Sequence, residues 1–360
     1  MKILLTGGGT MGSVSPLIAV KEELSFEPDV QFLFIGTKRG PEKQIVEQNK
    51  INFKSIPSGK LRRYFDWRNF TDLVLIFVGF LKSLWLIVRF NPEIVLTAGS
   101  FVCVPVAYAA RILGKRVLVH QQDLKIGLAN RLMVPVASKI TVALPELREK
   151  FPREKVVVTG NPTRKVVFSG NIERAKQYFK LENNVPTLLI VGGGVGSEII
   201  NGLFIDKNKE LTKFCQVIHV VGKGEQSKWL NNIELKNNHR YHAYEFLGRE
   251  LSDAYVVANI VFGRAGFSTL TELSALSKPA IIMPIPDNQQ EDNAEYFYKK
   301  QAIVYVRQED FDPEYVIGMI ESLLLKRDQL LGLGENINNA MPQDAREEYA
   351  KLVKELVGRY

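Results

Sequence analysis

The sequence predicts an α/β chain built as two Rossmann-like parallel-sheet domains facing a cleft. Three observations predict it. Short apolar runs recur along the chain, each closed by a turn and followed by a helical stretch, which is the rhythm of βα units. A glycine-rich turn ends the first such run of each half: Gly7-Gly8-Gly9-Thr10-Met11-Gly12, and Gly192-Gly193-Gly194-Val195-Gly196-Ser197. At 360 residues the chain is also too long for one core, so two domains are the default. The expected division is 1–160, 161–340 and a terminal helix over 341–360 that packs back toward the first domain, with Gly160-Asn161-Pro162 as the hinge.

In the first half, Lys2–Thr6 is a strand. The helix after the glycine turn begins at Ser15 or Pro16, where proline's missing N–H costs nothing, and runs to about Leu24. Strands follow at Val30–Ile35 and Phe53–Ile56, with a helix over Pro41–Asn49 between them. Next comes a segment in which Lys60, Arg62, Arg63 and Arg68 interleave with Tyr64, Phe65 and Trp67, and then the apolar run Leu73 to Val88. A transmembrane helix needs ~20 apolar residues, and this run is shorter and broken by Lys82 and Ser83, so a span is not expected. Two readings remain, a buried helix of the first domain and a helix resting on an anionic membrane surface, and the coincidence of cations, aromatics and an over-apolar helix favours the second. Ile94–Thr97, Val117–His120, Lys139–Val142 and Val156–Thr159 complete the first sheet.

In the second half, Asn183–Pro186 is a linker. Strands are expected at Thr187–Val191, Gln216–Val221, Tyr241–Tyr244, Ile260–Phe262, Ala280–Met283 and Ile303–Val306, with a helix from Glu198 and a last one over Ala345–Val357. The stretch Arg264–Ala294 carries the densest chemistry. Gly266 opens a turn, Ser268 and Thr269 can cap the helix that follows, and such a start attracts phosphate. Glu272, one turn in, can accept from two vicinal ribose hydroxyls. Asp287, Asn288, Gln289, Gln290 and Asn293 form an amide-rich cluster at a strand end, suited to sugar hydroxyls.

Composition bounds the partners. Hydrophobic residues make up 46% and charged residues 24%, as in soluble globular proteins. The net charge of +8 suits a polyanion: nucleic acid, lipid headgroups or a pyrophosphate. The two cysteines, Cys103 and Cys215, read as buried thiols of a reducing compartment. The four histidines lack metal-ligand spacing, and the N-terminus is a strand and not a signal peptide.

Taken together the blocks carry a family resemblance. Gly7–Pro16, Ala98–Phe101, His120–Arg131, Gly160–Arg164, Gly192–Asn201, Tyr244–Leu247, Arg264–Leu273 and Gln289–Ala294 occur in one order over essentially the full length. The chain resembles the MurG family, bacterial GT-B glycosyltransferases that move N-acetylglucosamine from UDP-GlcNAc onto undecaprenyl-pyrophosphoryl-MurNAc-pentapeptide.

The resemblance implies site residues. Glu272 would bind the ribose, Gln289 and Gln290 the GlcNAc hydroxyls, and Arg164 the donor. Phe246 and Leu247 would lie at the uracil, Phe267, Ser268 and Thr269 at the α-phosphate, and Thr10, Met11 and Gly12 at the transferred sugar and acceptor pyrophosphate. Asn130 and Gly194 join the substrate-binding set. Ser13 stands where the family has a histidine. His120-Gln121-Gln122-Asp123 has lost the family's glutamate, so Asp123 and His120 are the candidate bases, both at one strand end.

The implied chemistry is a single inverting displacement at the anomeric carbon. Helix starts at Ser197 and Ser268, with Arg164, would stabilise the leaving pyrophosphate; no metal or other cofactor is expected. The implied location is the cytoplasmic face of the bacterial membrane, held peripherally through Lys60, Arg62, Arg63, Arg68 and the helix Leu73 to Val88.

Competing readings are a GT-B transferase with another lipid or small acceptor, and a non-catalytic membrane partner that binds the nucleotide sugar. Nucleic-acid binding is disfavoured because the basic residues accompany an apolar helix. A dinucleotide oxidoreductase is disfavoured by the glycine spacing.

Overall fold

The computed structural model describes residues 1–10, 12–59, 68–309 and 312–358. The chain divides into two compact units, Met1–Arg164 together with Pro342–Tyr360, and Lys165–Met341.

The first unit carries β1 (Lys2–Thr6), β2 (Gln31–Gly36), β3 (Asn52–Ser55), β4 (Ile94–Thr97), β5 (Arg116–Gln121), β6 (Lys139–Val142) and β7 (Val156–Val158). They form one seven-stranded sheet in the order β3-β2-β1-β4-β5-β6-β7, every pair parallel. Its helices are α1 (Ser15–Leu24), α2 (Glu42–Gln48), α3 (Arg68–Phe90), α4 (Cys103–Ile112) and α5 (Leu128–Met133). The strands are apolar on both faces because helices cover both, so Ile3, Leu5, Phe34, Ile94, Leu96 and Leu118 are buried in one core with Leu17 and Ile18 of α1.

The second unit carries α6 (Ile172–Phe179), β8 (Thr187–Val191), α7 (Glu198–Asp206), α8 (Asn208–Leu211), β9 (Gln216–Val220), α9 (Ile233–Lys236) and β10 (Tyr241–Tyr244). It continues with α10 (Glu250–Val257), β11 (Ile260–Gly263), α11 (Phe267–Ala275), β12 (Ala280–Ile282), α12 (Gln289–Lys299), β13 (Val304–Tyr305), α13 (Pro313–Leu325) and α14 (Arg327–Asn339). Its six strands run parallel in the order β10-β9-β8-β11-β12-β13. In each sheet the strand order reverses beside the first strand, between β1 and β4 and between β8 and β11. Loops at strand C-termini beside such a reversal are where open α/β sheets bind ligands.

The last helix, α15 (Ala345–Val357), belongs to the first unit. Tyr349 and Val353 are buried in that core, and Arg346 and Lys354 pair with Glu23 and Glu27 at 3.2 Å each. The stretch expected as a hinge lies within the first unit. A side chain at Gly160 would meet Ala345 and Pro342, and Asn161 is buried against His120; the crossing between units falls after Arg164.

α3 is longer than the run that signals it. Residues Asp72–Phe90 are long and apolar enough to cross a membrane by length and composition, so the shortness argued against a span does not hold. The helix packs on α4 and has a buried strip that includes Ser83, Leu86 and Ile87, with Gly79 set against the Pro57 carbonyl. Its other side leaves Leu73, Val74, Phe77, Val78, Leu81, Trp85 and Val88 exposed, Val88 by 64%. Lys60, Arg62, Arg63, Tyr64, Phe65 and Trp67 lie outside the described residues, as does the Arg68 side chain.

Candidate active site

In the second unit, the loops after β8, β11 and β12 bring three backbone starts together. Gly193 and Gly196 take φ of +94° and +74°, which only glycine adopts at little cost, and Gly222 leaves room for the Gly196 backbone, 2.3 Å from where its Cβ would stand. This tight turn delivers Ser197 as the N-cap of α7. Gly194 borders open space.

α11 starts at least two residues earlier than its hydroxyls suggest. Gly266 is the N-cap, Phe267, Ser268 and Thr269 are the first helical residues, and no side chain caps the start. Ser268 and Thr269 are therefore not caps. The Ser268 hydroxyl is buried and has no hydrogen-bond partner among the described residues. Free N–H groups, a positive dipole end and an unengaged hydroxyl together suit a phosphate.

Between these starts lies Arg264, only 8% exposed. Its guanidinium donates to the carbonyls of Met283 at 3.0 Å and Pro284 at 2.9 Å, and to the Ser197 hydroxyl at 2.8 Å. Burial pulls its pKa down. No ion pair to Arg264 occurs among the described residues, and its Nε lacks a partner there too. A cation this buried is costly unless something negative approaches. The motif that opens at Arg264 was visible in the sequence; its role was not, because nothing local tells a buried arginine from a surface one.

Glu272 faces inward from α11 with 8% exposure, and the Tyr255 hydroxyl donates to its Oε2 at 3.1 Å. Gln289 is exposed and Gln290 half-buried at the start of α12, which Asn288 caps through Gln290 N–H. Asn293 is buried and donates to the Ala265 carbonyl, bracing the α11 turn. Phe246 presents an exposed ring with the Lys223 ammonium 4.1 Å from its centre, whereas the Leu247 side chain is buried, so only its backbone can meet a base. Thus Gly194, Ser268, Thr269, Glu272, Gln289 and Gln290 all lie at strand C-terminal ends or in the helices that follow them.

In the first unit, Thr10 is exposed and Gly12 half-buried in the loop after β1, while Met11 lies outside the described residues. Ser13 is spent on the loop itself: its Oγ accepts from Gly8 N–H at 3.1 Å and lies 3.0 Å from the Gly8 carbonyl and 3.2 Å from that of Thr10. It holds the turn's shape. Glu42, wholly buried, holds the same loop from the other side. One carboxylate oxygen accepts from Thr37 N–H at 2.7 Å and from the Thr37 hydroxyl, and the other accepts from Gly9 N–H at 3.2 Å. Nothing local signals this, since a glutamate early in a helix normally reads as a dipole partner facing water.

Beside this loop, Gly99 and Ser100 take φ of +86° and +111°. Ser100 pays for a backbone that glycine would adopt freely, and its buried hydroxyl has no partner among the described residues. A side chain on Gly9 would come within 3.8 Å of that hydroxyl.

His120 is not placed as a base. It is fully buried, with Nδ1 2.9 Å from the Thr141 hydroxyl and Nε2 2.9 Å from Asn161 Oδ1. The amide oxygen only accepts, so Nε2 carries the proton and Nδ1 accepts from Thr141. Burial lowers its pKa to about 4, and the ring stands edge-on to Tyr349, 5.6 Å away. Asn130 is likewise buried and donates to the His120 carbonyl at 3.0 Å and to Gln121 Oε1 at 2.6 Å. Both residues fix the end of β5. Asp123 is half-buried just beyond that end, and Gln122 donates to the Gly12 carbonyl at 3.0 Å and so borders the loop after β1. Arg164 is the last residue of the first unit and is half-buried.

The sequence contains one Asp-X-Asp triplet, Asp310-Phe311-Asp312. Asp310 and Phe311 lie outside the described residues; Asp312 caps α13 by accepting from Glu314 N–H at 3.0 Å.

Comparison places this chain among known proteins. Residues 3–142 match the glycosyltransferase family 28 N-terminal domain and residues 187–355 match the family 28 C-terminal domain. The UDP-N-acetylglucosamine–N-acetylmuramyl-(pentapeptide) pyrophosphoryl-undecaprenol N-acetylglucosamine transferase of Clostridium tetani is 34% identical over 98% of this chain and 97% of its own length. The protein of the same name from Clostridium kluyveri is 33% identical over 98% and 99%. The chain belongs to the MurG family of glycosyltransferases. The crystal structure of Acinetobacter baumannii MurG superposes with a TM-score of 0.73 at 22% identity, covering 98% of this chain and 99% of that one. The UDP-GlcNAc 2-epimerase of Neisseria meningitidis bound to UDP-GlcNAc gives 0.71 at 15%, with both chains fully covered. These two likenesses speak to the GT-B fold. Membership of the MurG family adds the direction of the chemistry, a sugar leaving a nucleotide for an acceptor.

Proposed function

We propose that the chain transfers GlcNAc from UDP-GlcNAc to the MurNAc 4-hydroxyl of undecaprenyl-pyrophosphoryl-MurNAc-pentapeptide, with inversion, in peptidoglycan synthesis. The observation that carries the donor half is Arg264, buried between the uncapped starts of α7 and α11 with Glu272 one turn further on. A leaving UDP needs a place for developing charge. Fixed N–H dipoles and a buried guanidinium provide it without reorganisation. On this reading Ser268 and Thr269 take the phosphates, Glu272 the ribose, Phe246 the base and Gln289 and Gln290 the sugar.

Asp123 is our candidate for the acceptor's base, because Ser13 is committed to its own loop and His120 to Thr141 and Asn161. Transfer needs no metal in this proposal, the charge being met by Arg264 and the helix starts. The enzyme acts at the cytoplasmic membrane face, docked by the apolar side of α3, and serves cell-wall growth and division.

The test is UDP release from UDP-GlcNAc with and without a solubilised lipid-linked acceptor, in chelator and in magnesium. Acceptor-dependent release that survives the chelator supports the proposal. Binding of UDP-GlcNAc with no release in the presence of acceptor would overturn the transfer and leave a nucleotide-sugar binder.

A further inference from the structure

The second unit holds a buried phenol that the proposed reaction leaves unassigned. Tyr255 is 2% exposed, yet its hydroxyl ends 3.1 Å from Oε2 of Glu272, on a neighbouring helix. α10, which carries it, is held at its middle and at its C-terminal end. One turn before its end, Asp253 receives a bidentate pair of bonds from Arg174, both at 2.5 Å. At its C-terminal end, the half-buried Lys278 ammonium donates to the carbonyls of Val256 at 3.3 Å and Ala258 at 3.0 Å. The phenol is therefore a buried donor on an anchored helix, set to hold the carboxylate where it stands.

We infer that Tyr255 is a positioning residue that fixes the Glu272 carboxylate for the two ribose hydroxyls of the donor, and so sets preference for ribonucleotide over deoxyribonucleotide. The inference rests on the proposed role of Glu272. A carboxylate has about four acceptor directions on its two oxygens, so one bond from Tyr255 leaves capacity for a vicinal diol. What the bond supplies is the plane. A free glutamate turns through its terminal torsion at little cost, and a carboxylate turned out of plane loses one of two hydroxyl contacts. A site built to hydrogen-bond a hydroxyl rejects an analogue lacking it, because its own polar group is then left unpaired.

The experiment compares wild type, Tyr255→Phe and Glu272→Gln in acceptor-dependent UDP release, with UDP and 2′-deoxy-UDP as competing inhibitors. Phenylalanine keeps the ring and removes only the hydroxyl, so the core stays filled, and melting temperatures check it. Expected for Tyr255→Phe are a KM for UDP-GlcNAc raised about fivefold to tenfold, a kcat and acceptor KM near wild type, and a weaker preference for UDP over 2′-deoxy-UDP. A rise that is equal for UDP and the deoxy analogue would mean a packing defect and overturn the inference. An unchanged donor KM, with Glu272→Gln still impaired, would overturn it while leaving the role of Glu272 intact. An unimpaired Glu272→Gln would remove both.

Discussion

Arg264 reaches across from the start of α11 to the hydroxyl of Ser197 at the start of α7, 2.8 Å away. One guanidinium thus spans two helix starts while its other nitrogen holds the Met283 and Pro284 carbonyls at the end of β12.

Arg264→Met removes the cation and strands those carbonyls. UDP affinity should fall by about two orders of magnitude, and stability by about 2–4 kcal/mol for the unpaired buried groups. Calorimetric titration with UDP, beside a melt of the same variant, separates the two effects. An unchanged UDP affinity would remove Arg264 from the phosphate site.

Asp123→Asn keeps shape and removes basicity. Turnover should drop by about 10²-fold or more while UDP affinity stays at the wild-type value. Steady-state kinetics varied in acceptor, with UDP binding alongside, decide it; near-normal turnover would leave the base elsewhere.

Glu42→Gln puts an amide N–H₂ where two backbone N–H groups and a hydroxyl now donate to one carboxylate. A cost of about 2–3 kcal/mol is expected, together with a higher KM for the acceptor and an unaltered KM for UDP-GlcNAc, since the loop it shapes lies in the first unit. Equal changes in both constants would argue for general unfolding instead.

Burial holds His120 near 4 and His219 near 3, below the ordinary 6.5. The folded state therefore refuses protons that the unfolded chain accepts below that value. Stability should be full above about pH 6.5 and decline below it by about 1.4 kcal/mol per pH unit for each histidine, until its folded value is reached. Urea unfolding between about pH 7 and pH 5 reads the slope, and His120→Gln should lower it by one proton.

The exposed side of α3 should bind membrane. Replacing Phe77 and Leu81 with aspartate is expected to abolish sedimentation with vesicles of anionic lipid, with UDP binding unaffected, because these side chains contribute nothing to the fold's core. Undiminished sedimentation would assign the docking to other residues.

Much of the fold was legible because most strands of a parallel sheet are apolar runs bounded by turns. β1, β4, β6, β8 and β10 match their expected limits residue for residue. What was hidden is what one residue's type cannot carry, namely which way it faces and what waits there. His120 looked like a base at a strand end; only the fold shows Thr141, Asn161 and Tyr349 closing around it. Ser268 looked like a cap, yet its helix had already begun at Phe267. Glu42 and Tyr255 gave no signal, because Gly9 and Glu272, which they hold, stand 33 and 17 positions away along the chain. The limits of α3 were misjudged because its first residues are polar or charged and break the apolar run that marks the rest.

The chain enters the second unit after Arg164 and returns to the first at Pro342. On a ribosome, then, the half made first is the half finished last. Tyr349, Leu352 and Val353, which close its core against Ile18 and Leu118, emerge only after the whole of the second unit. Until they do, the nascent first half has an open seam beside α1, and the exposed apolar side of α3 is already in solution. The first unit is thus the one that spends longest incomplete during synthesis, and a chain stalled before residue 345 would hold a completed second unit joined to an unfinished first.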